Sequence, residues 1–98
     1  MVAHVDTLPS VELLERTHEF PGRYVFKVIG LCEDGFVART VALVRDQLEE
    51  ERDPPFRVRH TANGRHVAVT LEPNVRSAWE VIAVYQAIRG LAGLEMVF

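Results

Sequence analysis

The chain is poor in several features, and each shortage removes a class of function. Its 98 residues hold one cysteine, Cys32, so no internal disulfide can form and a reducing compartment is the natural setting. No apolar run approaches the roughly 20 residues that cross a bilayer. The opening MVAHVDTLPS carries neither the basic flank nor the apolar core of a signal peptide, so a cytoplasmic protein without membrane association is expected. There is no extended basic run, and the net charge of −3 gives little electrostatic reason to bind nucleic acid. The four histidines show no metal-ligand spacing. No carboxylate pair or nucleophile-base constellation stands out, so the expected role is non-enzymatic, without metal or cofactor. Internal repeats and low-complexity segments are absent as well.

What remains is an ordinary globular composition, 48% hydrophobic and 26% charged, of a length suited to one core and too short for two. The charge is unevenly shared. Residues 1–53 hold eleven acidic and six basic side chains, whereas 54–98 hold three and five. Glu49, Glu50, Glu51 and Asp53 supply much of the acidity at an expected helix end, where a solvated, fraying terminus accounts for them.

The most informative stretch is FRVRHTANGRHVAVTL, residues 56–71. Asn63-Gly64 is a strong hairpin signal, and a type I′ turn there pairs His60 with Val67, Val58 with Val69 and Phe56 with Leu71. The apolar residues then share one face. Arg57, Arg59, Thr61, His66, Ala68 and Thr70 take the other, so a slip of one residue would bury arginines and expose valines.

Other elements follow from periodicity. Pro9-Ser10 precede a short helical pattern, VELLERTH, in an N-terminal arm over 1–18. The domain proper is expected over 19–98. Tyr24, Phe26 and Val28 alternate with Val25, Lys27 and Ile29 in a first strand ended by Gly30. Asp34 is a candidate N-cap for a helix from about Gly35 to Glu50, with Phe36, Val37, Val41, Val44 and Leu48 as its buried stripe. Pro54-Pro55 stop it. Ser77 and Glu80 form a capping box for a second helix, whose stripe is Ala78, Val81, Ile82, Tyr85 and Ile88. Leu94, Met96 and Phe98 alternate with Glu95 and Val97 in a last strand. Lys27, Arg57, Arg59, His66, Thr70 and Glu95 fall on one strand parity, so both helices must cover the other face. With right-handed crossovers, the expected fold is α+β: a ferredoxin-like βαββαβ two-layer sandwich, its four-stranded antiparallel sheet carrying two helices on one face.

EFPGRYVFKVIG at 19–30, the small polar residues before Gly64, Tyr85 and the terminal LEMVF together resemble the YbeD-like family of small uncharacterised bacterial proteins. The resemblance covers about 80 of the 98 residues in one collinear block. Phe20, Pro21, Lys27, Val28 and Gly30 match the family's first strand, Gly64 its hairpin glycine, and Met96-Val97 its last strand. It implies a fold similar to the ACT regulatory domain, a module that commonly binds amino acids and pairs with another copy. The family has no established activity. Where it tends to carry a Ser-Ser pair, a Tyr and a Ser around the turn, this chain has Thr61-Ala62, His66 and Ala68, so several hydroxyl donors are gone.

Two candidate sites emerge. Gly30 to Gly35 follow a strand and open a helix, but Phe36-Val37 stand where a phosphate loop needs Lys and Ser or Thr, and Glu33 and Asp34 would repel an anion. A turn and helix cap is the plain reading. The ligand reading is an amino-acid-like effector, held by Gly30 and Gly35 through close backbone approach and by Glu33 or Asp34 at its ammonium; ACT resemblance places an effector near this loop. Cys32 has no base near it in sequence, and His60 is expected at the sheet's inner boundary, on the face opposite His66. The second candidate is the open sheet face, with Lys27, Arg57, Arg59, Arg65 and His66 around Val25, Ile29, Ala68 and Val97 and no aromatic to stack a base. That mixture suits a protein partner or self-association. Trp79 sits off the centre of its helix stripe; half-burial at the sheet rim is its commoner fate, a partner anchor the other. The expected function is an interaction adaptor in metabolic regulation, with the small-molecule sensor as the alternative.

Overall fold

A computed structural model of the chain describes residues 8–98; the expected arm residues 1–7 lie outside them. The order is α1 (Val11–Thr17), β1 (Gly22–Arg23), β2 (Phe26–Leu31), α2 (Phe36–Gln47), β3 (Phe56–His60), β4 (His66–Leu71), β5 (Asn74–Val75), α3 (Ala78–Ile88) and β6 (Leu94–Val97). The described residues form an α+β fold with three helices and antiparallel sheets. Four strands form one sheet in the order β3-β4-β2-β6, with every neighbouring pair antiparallel. A separate two-stranded ribbon joins β1 to β5, pairing Gly22 with Val75 and Arg23 with Asn74. These two-residue strands are too short for periodicity to reveal.

The hairpin register agrees with the alternation argument: Phe56 faces Leu71, Val58 faces Val69 and His60 faces Val67. The turn does not. A type I′ loop needs positive φ at both central residues, and here Gly64 has it, at 73°, while Asn63 does not. Instead the Asn63 Oδ1 accepts hydrogen bonds from the Thr61 hydroxyl and the Arg65 N–H, both at 2.9 Å, and Gly64 N–H donates to the Thr61 carbonyl. Thr61 N–H donating to His66 O closes the wider loop without changing the register.

One sheet face and two helices enclose the core. Phe26, Val28, Val67, Val69, Leu71 and Val97 are buried from the sheet, and Phe36, Val41, Val44 and Leu48 from the α2 segment. Thr40 is buried too, its hydroxyl satisfied by the Phe36 carbonyl at 2.8 Å. Ser77 caps α3, accepting from the Glu80 N–H at 3.3 Å. The Glu80 carboxylate reaches back one residue further than a capping box requires, accepting from the Arg76 N–H at 2.7 Å. Along α3, Val84 is buried where Ile82 was expected; Ile82 sits at the flank of the stripe and is half-buried. The N-terminal helix is docked: Leu14 is buried, and the His18 ring lies 4.8 Å from that of Tyr24.

Two departures matter for function. First, a bulge between Ile29 and Gly30 shifts β6 so that Val97 faces Val28 in the core and Met96 faces Ile29 on the open face. The expected phase of Leu94, Met96 and Phe98 is therefore corrected; only Leu94 of the three packs against the core. Second, β3 is an edge strand whose residues are all exposed. Phe56 and Val58 have core-face parity yet remain 43% and 39% exposed, because the helices do not close over that edge.

Candidate functional site

The loop between β2 and α2 is shaped by one packing contact. Gly30 still belongs to β2, paired with Val67 and Leu94, so the strand runs one residue beyond its expected end. A Cβ on Gly30 would overlap the Phe36 ring. The glycine that sequence reasoning offered as an approach for a ligand thus receives an aromatic ring of its own chain. Asp34 does not cap α2. It adopts a left-handed conformation, φ 51°, followed by Gly35 at φ 67°, and this double turn launches the helix with no side-chain cap. Asp tolerates that region better than most residues.

Around this turn, Arg39 takes the tethering role. Its Nε donates to the Asp34 carbonyl at 2.9 Å and its guanidinium to the Ala92 carbonyl at 3.0 Å, with the charge 5.7 Å above the Phe36 ring. The carboxylates of Glu33 and Asp34 are exposed and make no ion pair among the described residues. A shallow pocket of about 270 Å³ opens beside them, bounded by Cys32, Gly35, Val37 and Val67. Cys32 is free and exposed there. The structure brings Glu33, Asp34 and Gly35 together in the turn beside the pocket, whereas Gly30 stays in β2 beneath the Phe36 ring and does not line it.

The open sheet face gathers the basic side chains. Register sets Arg57, Thr70 and Lys27 in one row and Arg59, Ala68 and Ile29 in the next. Directly opposite residues of an antiparallel pair share a face, so Lys27, Arg57 and Arg59 converge on a depression of about 350 Å³ floored by Ala68 and Thr70. Glu72 stands at its margin, 3.7 Å from Arg57 and 3.9 Å from Arg23. Such exposed pairs contribute little. His66 lies on the same face, 3.6 Å from Glu95, the residue that the β6 bulge turns toward it.

Several expectations on this face are corrected. Val97 is in the core, and Phe98 takes open-face parity instead: its N–H donates to the Lys27 carbonyl at 2.8 Å and it accepts the Lys27 N–H at 3.3 Å. The face therefore has one aromatic, 37% exposed, where none was expected. His60 is exposed on the edge strand rather than held at an inner boundary. Trp79 is not half-buried; it is 69% exposed on α3, across the sheet from the basic cluster. The structure thus joins Lys27, Arg57, Arg59 and His66 and leaves Trp79 apart. Among the described residues no group of three or more His, Cys, Asp or Glu could hold a metal ion, and no helix is long and apolar enough to cross a membrane.

Comparison with known proteins gives a consistent result. Residues 15–98 match a family model described as a protein of unknown function, DUF493. A UPF0250 protein of Shewanella sp. (strain ANA-3) is 28% identical over 79 residues, spanning 81% of this chain and 88% of that protein. A UPF0250 protein of Shewanella amazonensis is 27% identical over the same spans, and one from Shewanella sp. (strain MR-4) 28%.

Proposed function

The chain belongs to the DUF493 family, the YbeD-like group that its sequence resembles, and from that premise we propose a non-enzymatic binding module that acts as a protein-interaction adaptor through its open sheet face. The strand order β3-β4-β2-β6, with α2 and α3 packed together against the sheet, supports a ferredoxin-like, ACT-type arrangement for it. The observation that carries the adaptor reading is the convergence of Lys27, Arg57 and Arg59 around Ala68 and Thr70 on a face that none of the described helices covers. Cations ringing small apolar and hydroxyl side chains suit a protein surface. The partner reading excludes nucleic acid and membrane, and its setting is metabolic regulation in the bacterial cytoplasm.

The test compares the wild-type chain with an Arg57→Glu/Arg59→Glu variant as bait in native lysate. Both substitutions lie on an exposed strand, so the fold should survive, and circular dichroism and melting verify it. A partner retained by wild type and lost by the folded variant supports the adaptor. Identical recovery by both removes the open face from the reading.

A second reading, a sensor of amino-acid-like effectors, rests on the pocket beside Cys32 to Val37. Among the described residues, the N–H groups of Val37 and Ala38 find no backbone acceptor, and they would face a carboxylate there, with Glu33 or Asp34 meeting an ammonium. A panel of zwitterionic metabolites at millimolar concentration should then shift amide NMR signals of residues 33–38 before others. A silent panel discards the sensor.

A further inference from the structure

The edge strand β3 lies beside the basic face and carries a feature that the adaptor reading does not use. Thr61 N–H donates to His66 O at 3.0 Å, and Glu72 N–H donates to Pro55 O at 2.9 Å. In an antiparallel ladder alternate residues bond across the pair. The odd-numbered residues of β3 therefore face β4, and the N–H and C=O groups of Phe56, Val58 and His60 point away from the sheet. Among the described residues those groups have no hydrogen-bond partner. On the helix side of this edge, Phe56 meets Val37, Ala38, Val41 and Ala42 of α2 across a groove of about 650 Å³, which the paired Arg45 and Asp53 also line. On the open side stand Arg57 and Arg59, both exposed, with Lys27 two strands further in, on β2.

We propose that β3 is a docking edge for an extended segment of a partner protein in which acidic and apolar residues alternate. It would add as a fifth strand beside Phe56, Val58 and His60. This deepens the adaptor reading and rests on it. Side chains of an added strand alternate between faces. One set would meet Arg57 and Arg59 with carboxylates, and the other would enter the groove beside Phe56 and α2. Backbone bonds would provide affinity and the two side-chain sets specificity. The same arginines discriminate against a second copy. Antiparallel pairing of two β3 strands about Val58 sets Arg57 opposite the other copy's Arg59 twice, and like charges directly opposite are destabilising.

The probe is an acetylated, amidated peptide of about seven residues, a usual strand length, in which glutamate alternates with valine. Binding is followed by amide NMR and hydrogen exchange on the full chain. The expected result is slowed exchange at Phe56, Val58 and His60. Val58→Pro removes a donor that faces outward, so the sheet's own ladder is untouched, and affinity should fall about tenfold or more. If that variant melts early, a peptide N-methylated at its inward-facing amides asks the same question of the wild-type chain. Binding that survives both blocks but is lost in Arg57→Glu/Arg59→Glu overturns the added strand while leaving an open-face adaptor standing. No binding at millimolar peptide, equal binding of a lysine-valine peptide, or a dimer of the free chain in sedimentation also overturns it. None of these decides the lysate comparison, so the two readings fail separately.

Discussion

The Phe36 ring occupies the space that any side chain on Gly30 would need. A Cβ at Gly30 would overlap Cζ, Cε1 and Cε2 of that ring, and the ring cannot withdraw because Phe36 is 2% exposed at the start of α2. Gly30→Ala should therefore cost about 1 to 3 kcal/mol through overpacking, read as a lower urea midpoint. Combining it with Phe36→Leu should recover part of that loss. Additive losses in the double variant would show that the two residues do not compete for one space.

The hydroxyls of Tyr24 and Tyr85 share a hydrogen bond of 3.1 Å inside an aromatic cluster with Phe26 and His18. Burial pushes the Tyr85 phenol well above its ordinary 10.0, and the bond to Tyr24 adds to the shift. A folded value raised above the unfolded one means that the folded state holds its proton longer. The corresponding stability is complete below about pH 10 and is lost as pH climbs beyond it. Alkaline titration should show Tyr85 ionising only as the chain unfolds. Tyr85→Phe should cost about 1 kcal/mol at neutral pH and blunt the alkaline loss.

At the start of α3, partial burial raises the Glu80 carboxyl, but hydrogen bonds from the Arg76 side chain and backbone, with the Arg76 charge, more than offset this and hold it below its ordinary 4.5. With the folded value depressed, the contribution is present above the unfolded value and lost as pH falls through the folded one. Glu80→Gln should flatten the acid limb of the stability curve below about pH 4.5. Ser77→Ala removes the cap itself and should cost about 1 kcal/mol at every pH. Equal acid limbs for wild type and Glu80→Gln would count against the Arg76 contact.

How far the sequence announced these features depends on whether their causes are local. The β3–β4 register was legible because turn chemistry and alternation constrain it independently, and the pairing of Phe56 with Leu71 follows from both. The turn type was not, because the Asn63 side chain competes for the bonds that shape it. The phase of β6 was hidden by a bulge within β6, where Ile29 pairs with Met96 and Gly30 with Leu94, so that Glu95 is an extra residue that alternation alone does not announce. Exposure of Phe56 and Val58 depends on how far α2 reaches across the sheet, and no pattern within β3 records that. The convergence of Lys27 with Arg57 and Arg59 was legible as parity, whereas the arrival of Phe98 beside Lys27 required the bulge.

Gly64 has φ 73° with open space around it, so a substitution there tests the backbone rather than packing. Gly64→Val should destabilise by about 1 to 3 kcal/mol, since a β-branched side chain resists that conformation. Asn tolerates the left-handed region, so Gly64→Asn should be much milder. Equal urea midpoints for the two variants would mean that φ is not what the turn requires.

The basic cluster invites comparison with nucleic-acid surfaces, and its size argues against one. Lys27, Arg57 and Arg59 are three cations on a chain of net charge −3, and Phe98 is the single exposed aromatic with open-face parity. Each phosphate contact adds about −0.7 to the salt slope for single strands, so three contacts limit both the slope and the affinity. Binding of single-stranded RNA or DNA near 150 mM salt should therefore be weaker than about 1 μM. Phe98→Ala should leave it unchanged, because one ring at the end of a row offers no succession of stacked bases. Fluorescence anisotropy with labelled oligonucleotides of mixed sequence measures both quantities. Submicromolar affinity that Phe98→Ala abolishes would make the open face a nucleic-acid platform and displace the adaptor.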